Sequence, residues 1–407
     1  MVQENNHSLA YYGGIPTRSE KKPALPVVSK EAQDEVINVL NNGTLAQFYG
    51  GTQVQKFEEA FAKQFECKYA VGVNSGTSAL HLSFLAANLP EHSEVLVPAN
   101  AYISAVSALL QAHLIPVFVD IDPVYWVMDP NDCAKKITDR TSAIVPVHMY
   151  GQPCPMQTIM DLARKHDLFV IEDCGQSHGA YIDGQLTGSF GDVAAYSLCC
   201  RKHIAMGEGG IVTTNKKEIA DRCRSLAHKG KGKGWFDYRE LGYSYNMTEV
   251  QGIIGLHQLL ALEKQLQNRT RLAAFLRDDL NGLEFSFPEV RPGSTHVYFK
   301  QNALLPKELT SHRNVIVDAI RAENVGCDPS HPHLLDVDWI RNKNDYSFRQ
   351  VPHLSQDPYT YDETPVAKEI LDRQICIEVG PGLDQTDIQA TGQAIRRVIT
   401  HFMDQLT

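Results

Sequence analysis

The sequence predicts an α/β protein: a large domain on a mostly parallel, seven-stranded-type sheet, followed by a smaller C-terminal α+β domain. Two observations predict it. The chain has 407 residues, more than one hydrophobic core ordinarily organises. From residue 69, short apolar runs alternate with longer amphipathic ones. That is the rhythm of βα units, which build parallel sheets covered on both faces.

The elements follow in order. Residues 1–30 are polar and proline-bearing and read as an N-terminal arm. "SKEAQDEVINVLNNG" has helical periodicity, with Ser29 placed to cap its start and Gly43 just past its end. "YAVGV" is a strand, followed by a helix over about 77–87. "EVLVP" is the next strand, followed by a helix over about 103–112. "IPVFVD", "SAIVPVH" and "LFVIED" are further strands, with "MQTIMDLARKH" a helix between the last two. "VAAYSL" and "GGIVTT" read as strands and "KKEIADRCRSLAHK" as a helix. "KGKGKGW" reads as a flexible basic loop. A long helix from about Thr248 to Asn268 closes the large domain, residues 31–268. Residues 269–407 mix strands and helices, among them "HVYFKQNALL" and "DIQATGQAIRRVITHFM". The crossovers between parallel strands should be right-handed.

Composition narrows the function. Charged residues make up 21% and apolar ones 43%, as in ordinary globular domains, and the net charge is −10. That charge balance offers no basic face for duplex nucleic acid. No apolar run approaches the ~18 residues of a membrane span. The N-terminus, "MVQENNHSLAYYGG", lacks the basic start and apolar stretch of a secretory signal, so a cytoplasmic protein is expected. The nine cysteines are scattered and contain no CxxC pair, which suggests neither a disulfide framework nor a metal site.

Ligands of open parallel sheets bind beyond the carboxyl ends of the strands, so the residues just after the apolar runs deserve inspection. After "YAVGV" comes "NSGTSAL". Gly76 permits a tight turn, Thr77 and Ser78 supply hydroxyls, and the free N–H groups of a helix start favour a phosphate. An ordinary helix cap is the alternative reading. After "EVLVP" comes Tyr102, able to stack on a flat ring or simply to pack. "LFVIED" ends on Asp173, with Gln176 and His178 beyond it. Neighbouring strand residues face opposite ways, so Glu172 and Asp173 cannot share one task. "VAAYSLCCRKHIAMGEGG" brings Ser197 and Lys202. Lys202 sits among apolar residues, where desolvation lowers a lysine's pKa and makes its amine a nucleophile for carbonyls. Each signal is weak alone. Together they are the parts of a pyridoxal 5'-phosphate (PLP) site: a phosphate cradle, a ring stacker, a carboxylate for the pyridinium nitrogen and a lysine for the aldehyde.

These segments, with "GQPCPMQTIMDLARKHDLFVIEDCGQSHGA" and "ICIEVGPGLDQTDI", resemble the DegT/StrS family of sugar aminotransferases over nearly the whole chain. That family has the aspartate aminotransferase-like fold, PLP fold-type I. The resemblance implies that Lys202 holds PLP as a Schiff base and moves the proton in transamination. Asp173 would pair with the ring nitrogen, Gln176 would bond the phenolic oxygen, and Tyr102 would stack on the ring. Gly76, Thr77, Ser78 and Ser197 would hold the phosphate. It implies no metal, and a homodimer with its sites at the subunit interface. One departure stands out: relatives often carry Asn-aromatic-Arg where this chain has Ser244-Tyr245-Asn246, which removes the asparagine that reaches the neighbouring site's phosphate. In dehydratase cousins a histidine replaces the lysine. Here His203 merely follows Lys202, which keeps its register with the GEGG turn.

The expectation is a PLP-dependent aminotransferase that carries nitrogen from glutamate or glutamine to a keto-sugar or keto-cyclitol, in amino-sugar or antibiotic biosynthesis. A dehydratase of the same family and a non-catalytic PLP-binding sensor are the alternatives. A nicotinamide oxidoreductase fits less well, because "GVNSGTS" lacks the GxGxxG pattern.

Overall fold

The structure is a computed structural model and describes residues 8–19, 26–232, 234, 236–351, 354–355 and 357–406. Seven short strands form the main sheet: β1 (Tyr69–Val73), β2 (Glu94–Pro98), β3 (Ile115–Val119), β4 (Thr141–Ile144), β5 (Phe169–Asp173), β6 (Val193–Ser197) and β7 (Gly210–Thr214). Their spatial order is β1-β7-β6-β5-β4-β2-β3. The pairs from β6 to β3 are parallel, and β7 runs against both of its neighbours. The sheet is therefore mostly parallel, as the βα rhythm predicts. The strands are mostly apolar, and β2 and β7 are buried at every position, which requires cover on both faces.

The helices that cover it start and stop where local chemistry dictates. Helix α1 (Lys30–Asn42) is capped by Ser29, whose Oγ accepts the Ala32 N–H at 3.2 Å, and ends at Gly43 with φ 71°. Helix α2 (Gln53–Gln64) buries Val54, Phe57 and Phe61 against the sheet, each such side chain contributing roughly 1.5–3 kcal/mol. Helix α3 (Gly76–Ala87) follows β1, and α4 (Ser104–Gln111) follows β2. The helix expected over 248–268 is instead two helices, Glu249–Leu260 and Leu262–Asp279, broken at Ala261. The second passes straight through Asn268, because no glycine or proline stops it.

A second, three-stranded sheet lies toward the C-terminus: β8 (Gln301–Leu304), β9 (Cys327–Pro329) and β10 (Gln374–Ile377), with β10 central and antiparallel to both. It shares a core with the helices Arg313–Ala322 and Gln385–Asp404. Within the arm, the buried Glu323 accepts the N–H groups of Ala10 and Thr17, tying residues 10–17 to this part of the protein. The basic segment read as a flexible loop is a hydrogen-bonded turn where it is described: Gly232 N–H bonds Asp237 O at 2.7 Å and Arg239 N–H bonds Gly230 O at 2.8 Å. Lys233 and Trp235 of that segment lie outside the described residues, as do residues 1–7 and 20–25 of the arm.

Candidate active site

The carboxyl ends of β1, β5 and β6, with the start of α4, converge on a cavity of about 310 Å³. Its walls include Gly76, Thr77, Tyr102, Asp173, Gln176, Ser197 and Lys202. Ser78 is not in the wall. Its Oγ turns back along α3 to donate to Asn74 Oδ1 at 2.7 Å, and its N–H is capped by Ser75 Oγ.

The start of α3 has the character of an anion site. Ser75 supplies the cap, so the N–H groups of Gly76 and Thr77 are left pointing out of the helix end. A side chain at position 76 is sterically excluded: its Cβ would stand 2.6 Å from Ser197 Cβ. Gly210 on β7 is held in the same way, since a Cβ there would meet Ser75 O at 2.2 Å. Thr77 Oγ1 lies 2.9 Å from Ser104 Oγ, which adds a hydroxyl that the sequence reading missed. Two backbone N–H groups and the hydroxyls of Thr77, Ser104 and Ser197 thus face one end of the cavity.

At the middle of the cavity stands Asp173. Its Oδ1 accepts the Gly175 N–H at 2.9 Å, and no cation lies within ion-pair distance among the described residues. Burial raises its pKa, against the pull of that N–H, Lys202 and His148. Lys202 is half-buried, with Nζ 4.4 Å above the centre of the Phe299 ring. Burial lowers its pKa, Lys300 adds to the effect, and Cys199 and Asp173 oppose it. A neutral amine is thereby favoured, the form that attacks carbonyls.

Gln176 is oriented by its surroundings. Its Oε1 accepts the Tyr150 N–H at 2.8 Å, which leaves Nε2 as the remaining donor group. Tyr102 is half-exposed and meets His331 edge-on at 5.3 Å. His331 stacks on Tyr150, with 8° between the ring planes, and burial lowers its pKa to about 4. The sequence reading missed both His331 and Phe299. Both come from the C-terminal part of the chain, which lacks a motif, so only the fold shows that they reach this cavity.

Three other residues singled out in the sequence lie elsewhere. Ser244 is exposed and bridges to His228, and Asn246 Oδ1 is 3.1 Å from His228 Nδ1. Neither lines the cavity. His203 is fully buried, with Nε2 donating to Val297 O at 3.0 Å and Nδ1 3.2 Å from His178 Nδ1.

The residues present fit PLP. A buried carboxylate without a cation suits a protonated pyridine nitrogen, the cradle of N–H and hydroxyl groups suits a phosphate dianion, and a desolvated lysine suits an aldehyde.

Comparison with known proteins agrees. Residues 26–396 match the model of the DegT/DnrJ/EryC1/StrS aminotransferase family. GDP-perosamine synthase of Escherichia coli O157:H7 is 41% identical over 238 residues, covering 57% of this chain and 64% of that enzyme. UDP-N-acetyl-3-dehydro-alpha-D-glucosamine 3-aminotransferase of Acidithiobacillus ferrooxidans is 31% identical over 391 residues, covering 92% and 98%. The X-ray structure of an aminotransferase from Psychrobacter cryohalolentis superposes with a TM-score of 0.83 at 30% identity, covering 94% of this chain and all of that one. The fold is PLP fold-type I, that of the aspartate aminotransferase-like enzymes. On its sequence, its fold and the composition of its cavity, the chain belongs to the DegT/DnrJ/EryC1/StrS aminotransferase family and is a PLP-dependent aminotransferase.

Proposed function

We propose that the enzyme transfers an amino group from glutamate or glutamine to the ketone of a sugar, most simply a nucleotide-linked keto-sugar. The observation that carries this reading is the meeting of Lys202 and Asp173 at one cavity whose far end is built for a phosphate. The sugar follows from the relatives, two of which are named for GDP- and UDP-linked sugars. A keto-cyclitol is the alternative acceptor, and precursors of antibiotics are the narrower form of the same proposal. A cytoplasmic location is part of the proposal; among the described residues no helix is long and apolar enough to cross a membrane. A homodimer is proposed on the resemblance of the whole chain to the family.

When bound, PLP supplies an aldehyde that condenses with amines and a ring that accepts an electron pair. The residues of this chain do the rest. Asp173 Oδ would accept the ring N–H and so keep that nitrogen protonated. Gln176 Nε2 would donate to the phenolic oxygen, and Tyr102 would pack on the ring. Gly76, Thr77, Ser104 and Ser197 would hold the phosphate by N–H and hydroxyl donors, while Ser78 shapes the helix start. Lys202 Nζ would anchor the cofactor, and once the donor's amine had displaced it, the freed amine would take the proton from the donor's α carbon and hand it back across the same cavity. Phe299 keeps water from one side of that amine. His203 faces away behind the wall, so it does not stand in for the lysine as a dehydratase's histidine would.

Loading the cofactor with an amino group from glutamate, then offering ketones one at a time, tests the proposal. A nucleotide-linked keto-sugar should restore the absorbance near ~420 nm that marks the lysine-bound cofactor. Restoration by inososes alone would move the acceptor to cyclitols. Loss of water from the sugar without amino transfer would make the protein a dehydratase.

A further inference from the structure

A second cavity, of about 300 Å³, adjoins the first: Arg201 and Phe299 line both. Its charged lining consists of Arg201, Arg269, Lys300 and Glu378. Three cations therefore face one carboxylate. Asp328, just outside, narrows the imbalance without closing it. It takes Lys300 Nζ at 3.2 Å and Arg201 at 3.6 Å, but also Arg321 at 2.7 Å. Lys300 Nζ divides itself between Asp328 and Glu378, the latter at 3.1 Å.

Arg269 is the informative member. It is 2% exposed, yet no carboxylate pairs with it among the described residues. Nη1 donates to Tyr298 O at 3.1 Å and Phe299 O at 3.4 Å. Nε has no acceptor, and Nη2 lies against Gly380 at the cavity wall. Burial depresses its pKa to about 10. A guanidinium taken out of water with donors unmet is costly, and such groups are ordinarily paired. Planar, bidentate donors of this kind match a carboxylate. An amino donor that brings its α-amine to Lys202 must also place at least one carboxylate within a few ångströms, and the cationic cavity next door is where it would fall.

We propose that the cavity formed by Arg201, Arg269 and Lys300 is the subsite for a carboxylate of the amino donor. The proposal rests on the donor reading given above and assigns that donor to the glutamate type. Arg269 supplies the buried fork, Arg201 the accessible one, and Lys300 the balance against Glu378.

The test has two readouts on PLP-loaded protein. The first is calorimetric titration with glutarate, a dicarboxylate without an amine. Wild type should bind it, and Arg201→Gln should weaken binding about tenfold, as should Arg269→Met provided that variant folds. The second is rapid mixing with glutamate. Arg201→Gln should raise the half-saturating glutamate concentration by about tenfold or more, and impair the ketone-driven return step several-fold less than that. Equal impairment of both half-reactions, or of neither, overturns the proposal. So does pyrophosphate binding in the place of glutarate, since the anion would then belong to the acceptor. Wild-type protein that takes up PLP but reacts with no amino acid overturns the donor reading itself, and this subsite with it.

Discussion

Glu172 and Asp173 are neighbours on β5 and face opposite sides of it. Behind the strand, Glu172 is fully buried and fully satisfied. Oε1 accepts the N–H groups of Phe190 at 2.9 Å and Gly191 at 2.7 Å; Oε2 accepts Gly188 N–H at 2.8 Å and His148 Nε2–H at 3.1 Å. His148 Nδ1 in turn accepts the Cys154 N–H at 3.0 Å, which fixes the tautomer. In front of the strand, Asp173 has one N–H donor and a cavity. The satisfied acid holds the fold together, and the unsatisfied one is held ready for a ligand. His148, Glu172 and Cys174 lie close enough to suggest a metal cluster, but the lone pairs of His148 and Glu172 are already used within the protein.

This contrast can be broken by exchanging charge on either side. Asp173→Asn should cut amino transfer by roughly 10²–10⁴-fold, because the ring nitrogen loses its proton holder. Folding should survive, since burial already disfavours the charge being removed. Glu172→Gln should do the reverse: a denaturant titration should show a loss of about 3 kcal/mol, because an amide NH₂ would confront backbone N–H groups that now meet a carboxylate. If Asp173→Asn unfolds the protein, or Glu172→Gln leaves its stability unchanged, the division of labour between the two faces is wrong.

Acid sharpens the same contrast by a smaller amount. Burial lowers the pKa of His178 to about 3 and that of His203 well below its ordinary value. Unfolded, both titrate near ~6.5. The native state therefore binds fewer protons than the unfolded one below that pH. The stability that depends on their neutrality is complete above about 6.5 and is lost as pH falls below it, for His178 down to about 3, by up to ~1.4 kcal/mol per pH unit. Asp173 works in the other direction, since its raised pKa makes protonation favourable in the fold. Thermal melts from pH 7 to 4 should fall steeply in wild type and less steeply in His178→Phe; parallel slopes would remove the histidine pair from the acid response.

Much of this was legible in the sequence where local chemistry repeats a rule. The strands were visible as apolar runs, Ser29 and Gly43 marked the ends of α1, and the strand-end rule led to Gly76, Tyr102, Asp173, Gln176, Ser197 and Lys202. What escaped depends on three dimensions. Nothing in "GGIVTT" says that β7 runs antiparallel, because an apolar run has no direction. Ser78 looked equivalent to Thr77, yet on a helix the two hydroxyls point different ways, and only Thr77 faces the cavity. Ser104 lay two residues beyond Tyr102 without a motif to mark it. His331, Phe299 and Arg269 reach the region from far along the chain, and no spacing rule connects them to β5.

The central claim is that the amine of Lys202, and no other, receives the cofactor. Lys300 is a demanding control: it is the more buried of the two, and its charge is felt at Lys202. It is, however, already bound to Asp328 and Glu378. Borohydride reduction of the PLP-loaded protein, followed by digestion and mass mapping, decides between them. A single pyridoxyl group on Lys202 is the predicted result; a label on Lys300, or on no lysine at all, would contradict it.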